Sequence, residues 1–355
     1  MLRKVRILSF LFALGVSLLV RTAAAQEYFA HSSPVDGALA SFDMPIAGVP
    51  PMASADEGGW KFSGDLLIVR PTTGDTYFVI DSPLGATQPI GSRINNDPLF
   101  NTAFRVGAAY EFANSPAQFQ VTWTRLDTDN SKLVTGTDLW ATAGSSDIAG
   151  AFQTYNGTAA ADLAIKHNRV DTMFTAPLCI PCIDLALQFG FEYADVRVQE
   201  GYFYENSVST ATGSVLFDST AKGIGPEFGF IVGYDLLSGC NGDGRLSFTM
   251  NSTASLLLAS AKTSSLQTVN NAVMVNVFDD TTSRIIPALH IGVGLNYDKV
   301  LCGRAVRFSL GYEFNNYFDA IGRSEYPDDV ADGFTLASYR DFGLQGLYFS
   351  SVVKF

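Results

Sequence analysis

The sequence predicts an all-β chain, a transmembrane antiparallel up-and-down β-barrel of about ten strands, with 8–12 possible. Three observations predict it. Segments of strand length alternate apolar with polar or small residues at period two. The gaps between them alternate long and short along the chain. The last segment, GLYFSSVVKF (346–355), runs to an aromatic end without a polar tail, as a barrel-closing strand would.

Residues 1–25 read as a secretory signal peptide. Arg3, Lys4 and Arg6 open it without an acid, Ile7 to Val20 form an apolar core, and Ala23-Ala24-Ala25 offers an A-x-A site, so cleavage is expected after Ala25. That core is too short for a stable membrane helix. Removing four bases and no acid leaves 19 bases against 35 acids, a formal charge of −16 in place of −12. A chain this acidic lacks the basic face a polyanion requires, which excludes a nucleic-acid partner. Residues 26–57, rich in Ala, Pro and Gly, carry neither helical nor strand period and read as a flexible lead-in; the barrel occupies 58–355.

The strands follow in order. WKFSGDLLIVR (60–70) is the first, and FRVGAAYEF (104–112) the clearest: Phe104, Val106, Ala108, Tyr110 and Phe112 face one way, Arg105, Gly107, Ala109 and Glu111 the other. FQVTWTRL (119–126) and LAIKHNRVDTMFTA (163–176) are weaker members. LALQFGFEY sets Phe189, Phe191 and Tyr193 against Gln188, Gly190 and Glu192, and EFGFIVGYDL sets Phe228, Phe230 and Tyr234 against Gly229, Gly233 and Asp235. RLSFTM (245–250), LHIGVGLNYD (289–298) and VRFSLGYEF (306–314) repeat the pattern, and the C-terminal segment completes ten. A soluble sandwich alternates too. Here, however, the apolar face is aromatic-rich and the other face mixes charge with Gly and Ala, which suits lipid outside and a crowded bore inside.

The gaps supply a separate test. Long ones fall at 71–102, 127–162, 199–221, 260–284 and 316–340, short ones at 113–118, 177–182, 237–244 and 299–305. With the first strand running outward, every long gap lies outside the cell and every short one in the periplasm, the sorting of an outer-membrane barrel. A sandwich has no reason to sort its loops.

On the inward face the candidates for lining a pore are Lys61, Asp65, Arg105, Glu111, Glu192, Arg245, His290, Arg307 and Glu313. Their signs are mixed, so pairing is expected, and the inward glycines either leave room for a channel or let long side chains interdigitate. Cys179, Cys182, Cys240 and Cys302 all fall in short turns, where an oxidising periplasm favours two disulfides; Cys240 with Cys302 would leave Cys179 with Cys182 among three possible connectivities. CIPC lacks the helix N-terminus of a redox pair. His167 and Asp171 lie on one strand face and could pair, yet no histidine stands in a metal-ligand spacing, so no metal or cofactor is expected.

In order along the chain, WKFSGDLLIVRP, FRVGAAYEF with FQVTWTRLD, KHNRVDTMF before LQFGFEYADVRV, KGIGPEFGFIVGYDL, LLLAS and LGYEFNNYFD resemble the pore-forming outer-membrane proteins similar to the Legionella major outer-membrane protein. The resemblance spans nearly all of residues 58–355. It implies a porin-like barrel in a Gram-negative-type outer membrane, with no catalytic residues. It also implies that Phe355 is the signal read by the barrel-insertion machinery, although Ser351 and Val353 depart from the usual form of that signal.

The function expected is passive diffusion of small hydrophilic solutes, with outer-membrane lipid and the insertion machinery as partners and the oligomeric state open. A closed structural barrel or a surface adhesin acting through long outer loops is the alternative. A barrel protease or lipase is a more distant one, since nothing in the sequence demands an enzyme.

Overall fold

The computed structural model describes residues 58–83, 87–113, 115, 117–180, 183–238, 244–279, 281–326 and 336–355. The expected signal peptide and lead-in, Cys182, Cys240 and the side chain of Cys179 lie outside what is described.

The described chain is almost wholly strand. In order it forms β1 (Gly59–Thr72), β2 (Tyr77–Asp81), β3 (Ser92–Asn95), β4 (Asn101–Glu111), β5 (Gln118–Ala141), α1 (Ser146–Ala151), β6 (Tyr155–Ile180) and β7 (Ile183–Asn206). Then come β8 (Thr212–Ser238), β9 (Arg245–Val269), β10 (Ala272–Phe278), β11 (Thr282–Leu301), β12 (Arg304–Glu325) and β13 (Leu336–Lys354). Antiparallel pairing runs β1-β4-β5-β6-β7-β8-β9-β11-β12-β13, and β13 returns to β1 from Lys61 opposite Lys354 to Thr72 opposite Gly343. The sheet is therefore a closed ring of ten strands. Closure leaves the ring without an open edge, so its ladder N–H and C=O groups pair between neighbouring strands without water, as a structure in hydrocarbon must.

The ten ring strands are those read from the alternation; β1 and β4 keep nearly the expected bounds, but most of the others are far longer. β6 has 26 residues and β8 has 27, where a tilted membrane strand needs about 9–11. Much of what the spacing marked as long loops is wall. The gap at 199–221 is filled by the continuations of β7 to Asn206 and β8 from Thr212, and that at 260–284 by β9, β10 and β11. β2 and β3 form a hairpin on β5, with Val79 opposite Ala141.

The hairpin from β11 to β12 turns on two residues, Cys302 and Gly303, both at positive φ (52° and 76°). This is the backbone of a type I′ turn, which suits the twist of the flanking strands and ordinarily takes Asn or Gly. The Cys302 thiol is exposed and has no disulfide among the described residues.

Inside, two apolar clusters fill the ring. One joins Leu67, Leu126, Leu163, Ile165, Val196, Leu257, Ile286, Tyr317, Phe342 and Leu344, all nearly inaccessible. The other gathers Phe78, Leu139, Ile148, Phe152, Tyr155, Tyr202, Tyr204 and Val215 at the end away from Gly59 and Phe355. It packs β2 and α1 against the wall: Tyr204 Oη donates to the Phe78 carbonyl at 2.8 Å, and the Ser145 N–H donates to Gln267 Oε1 at 2.8 Å. Burial pushes the Tyr204 hydroxyl well above its ordinary range.

The inward glycines make room for side chains. A Cβ on Gly292 would stand 2.2 Å from Asn251 Oδ1, and one on Gly294 would stand 2.2 Å from Tyr348 Oη. Of the two roles open to them, they serve interdigitation.

Candidate functional site

The site is the bore. Along β1 the inward residues are Lys61, Ser63 and Asp65, then Leu67 and Val69; along β7 they are Gln188, Gly190 and Glu192, then Ala194, Val196 and Val198. Each wall strand thus presents polar groups near the rim that carries Gly59 and Phe355 and apolar groups farther on. A cavity of about 300 Å³ occupies the polar part, lined by Ser63, Gln120, Gln188, Thr249, Asn251, Asn296, Ser309 and Ser350 beside charged groups.

All nine of the inward residues named from the sequence lie inside the ring, and they are paired. At the near rim Lys61 Nζ meets Glu111 at 3.5 Å and donates to Gln118 at 3.3 Å; Lys354 reaches the same glutamate at 2.5 Å. Arg307 grips Asp298 with two bonds of 2.6 and 2.7 Å. Arg245 joins Asp184 at 3.2 Å and also bonds Asp235.

Deeper in, Arg105 bridges Asp65 (3.3 Å) and Glu313 (2.7 Å), reaching across the space between β4 and β12. Glu192, wholly buried, is a hub. It accepts from Tyr317 Oη at 2.7 Å and from Ser255 Oγ at 2.6 Å, and it stands 3.0 Å from His290 Nε2 and 3.4 Å from Arg169 Nε.

Sequence reasoning missed several members. Arg169 holds Asp171 at 2.6 Å and Glu227 at 3.0 Å, both on its inward face. The signal for Arg169 was its place two residues from both His167 and Asp171 in KHNRVDTMF. Glu227 continues the period of Gly223 and Gly225 on β8, and Asn315 and Tyr317 extend the face of Arg307 and Glu313. The His167–Asp171 pair does not form. Arg169 stands between them and takes the carboxylate, while His167 turns to Tyr317 at 3.2 Å. Since the Tyr317 hydroxyl donates to Glu192, His167 Nε2 is the donor in that contact.

β6 and β12 are diametrically opposite in the ring of ten. The bond from His167 to Tyr317 therefore crosses the whole bore, and Phe342 packs against His167 with ring centroids 5.5 Å apart and the rings tilted by 41°. Around this contact one buried apolar cluster draws residues from all ten ring strands, from Leu67 of β1 to Phe342 of β13.

Phe355 lies on the outer face of the near rim. Its N–H donates to the Trp60 carbonyl at 2.9 Å and its ring meets Phe62 edge-on.

Among solved structures, a FadL homologue of Pseudomonas aeruginosa aligns over 84% of this chain and 90% of its own, at 7% identity and a TM-score of 0.25. The P. putida toluene transporter TodX aligns over 83% and 89%, at 7% identity and a TM-score of 0.22. Likeness at this level adds nothing to the ring closure described above. No curated protein matches the chain. The family model described as Legionella pneumophila major outer membrane protein precursor matches residues 52–355, which is most of the chain. A closed ring of lipid-facing strands together with that match places the protein in the outer membrane, and the chain belongs to the family of the Legionella pneumophila major outer membrane protein.

Proposed function

We propose that the protein is an outer-membrane channel for small hydrophilic solutes that rests shut. The carrying observation is the polar cavity of about 300 Å³ whose lining reaches Asn315, two residues before Tyr317 in the bridge between opposite walls. Solutes entering from the Gly59 rim, which we assign to the periplasm, meet paired charges. They then meet the apolar belt of Leu126, Ile165, Phe342 and Leu344. An apolar constriction gates by excluding water, and opening takes side-chain rotation at Tyr317 and Phe342 together with displacement of the β2 and α1 cluster beyond them. In this reading the chain is a conduit and not an enzyme. Residues 1–25 are cleaved on export, and Phe355 presents the chain to the insertion machinery.

The completeness of the apolar belt favours a second reading, a closed structural barrel that acts through the wall and hairpins at its far end. Planar-bilayer recording separates the two. The wild type should show rare, small openings, and Tyr317→Ala combined with Phe342→Ala should raise the open fraction at least tenfold. Absence of steps from both proteins over repeated insertions leaves the structural barrel. A wild type that is steadily open overturns the gate.

A further inference from the structure

We propose that Glu192, Glu227 and His290 form a divalent-cation site on the inner wall of the barrel. β7, β8 and β11 bring the three together, with their ligand atoms all within 4.8 Å of one another and every residue buried. The hydrogen-bond network leaves room for a further cation here.

Asn315 Nδ2 donates to Glu313 Oε1 at 3.3 Å, which turns the amide oxygen toward His290 Nδ1 at 2.9 Å. An amide oxygen can only accept, so Nδ1 carries the hydrogen and Nε2 of the neutral ring is a lone pair. That lone pair faces Glu192 Oε2 at 3.0 Å. Two acceptors at that distance need a cation between or beside them, either a proton or a metal ion.

Two observations choose the metal. Among the described residues Glu227 Oε2 is buried without a hydrogen-bond partner, a costly state for a carboxylate oxygen. In addition, Asp171, Glu192 and Glu227 share one guanidinium, that of Arg169, so the group is two charges short. A proton would supply one of these and a divalent ion both. Arg169 contacts Oε1 of each glutamate, which leaves for the ion the imidazole, Oε2 of Glu227, and Oε2 of Glu192 with the lone pair that the Ser255 hydroxyl (2.6 Å) does not use. One imidazole and two carboxylates suit Zn²⁺ or a similar first-row ion. The Asn315 contact is the usual outer partner that fixes a ligating histidine. Glu227 and His290 both border the polar cavity, which is the route of entry.

The test uses the mature barrel, folded in detergent, stripped with chelator and thiol-alkylated so that cysteines do not compete. Titration calorimetry with Zn²⁺ should give one site per barrel, and Co²⁺ should develop visible bands of a mixed nitrogen and oxygen ligand set. His290→Asn and Glu227→Gln should each weaken binding at least roughly 100-fold, and Asn315→Leu by roughly 10- to 100-fold. Heat-modifiable migration on gels confirms that each variant is a folded barrel. The proposal is overturned by the lack of saturable Zn²⁺ binding, or by binding that His290→Asn and Glu227→Gln leave unchanged. An imidazolium signal from His290 that Zn²⁺ does not remove would also overturn it. Each readout is independent of conduction.

Discussion

Two halves of one barrel wall are built inside out from each other. In the half toward Gly59 and Phe355 the outward residues are Phe119, Trp123, Phe189, Phe191, Tyr193 and Phe228, exposed on the surface, while charge is inside. In the far half the arrangement reverses. Asp127, Lys166, Arg197, Asp218 and Lys222 face out, and Leu163, Ile165, Val196 and Val198 face in. On six neighbouring strands the change falls between the same two hydrogen-bonded rows. Trp123, Val170, Tyr193, Ile224, Leu258 and Ile285 form the last apolar row; Arg125, Asn168, Asp195, Lys222, Ser260 and Ser283 form the first polar one. A sheet turns its apolar face away from water. The near half therefore meets lipid and the far half meets water on its outside, around an apolar core of the ordinary soluble kind. The outward apolar stretch of β7, Leu185 to Tyr193, has the length of a membrane strand of about nine to eleven residues.

The largest expected effect breaks the near half from within. Arg169→Met leaves Asp171, Glu192 and Glu227 without their shared guanidinium. Removing one member of a buried ion cluster costs about 3–5 kcal/mol, because the charges left behind stay desolvated. Urea unfolding of the barrel in lipid vesicles, followed by tryptophan fluorescence, should show a loss of that size. A loss below about 1 kcal/mol would mean that water reaches the cluster and that the bore is open at this depth.

The comparison also shows what could be read before the structure. The ten near-half segments were legible because their outward residues are large and apolar, and period two then set the inward face, from Lys61 to Glu313. The far half was not. ADVRVQ (194–199) keeps strict alternation, but its outward residues are Asp195, Arg197 and Gln199. A reading that expects grease outside takes such a stretch for loop. The cross-bore contacts were also out of reach, since no local pattern tells that His167 and Tyr317, 150 residues apart, face each other across the ring. The inward position of Glu227 follows from the period of Gly223 and Gly225 before it.

A second prediction sharpens the boundary itself. Phe189→Lys puts a charge at the middle of the outward apolar stretch of β7, Leu185 to Tyr193, where the cost is about 2–4 kcal/mol near mid-bilayer. Glu205→Lys, an outward site on the same strand beyond the change, should fall within about 0.5 kcal/mol of the wild type, as surface substitutions do. Equal losses at both sites, measured by the same vesicle assay, would remove the proposed boundary.

The smallest effect contrasts a wet ion pair with the dry cluster. Lys222 Nζ meets Asp195 at 3.0 Å on the outward face, just beyond the apolar row, and its side chain is half exposed. The hydrogen bond with Asp195, with their charge attraction, raises the Lys222 ammonium above its ordinary value. A base raised on folding stabilises the folded state fully below its unfolded value, about 10.4 for lysine, and that contribution fades as pH climbs through the raised folded value. Water and salt screen the pair, so Lys222→Gln should cost no more than about 1 kcal/mol near neutral pH. The difference from the wild type should shrink in about 1 M salt, where the Debye length is about 3 Å, and again above the lysine range. A loss as large as that of Arg169→Met, unaffected by salt, would put Lys222 in a dry environment and move the edge of the lipid past it.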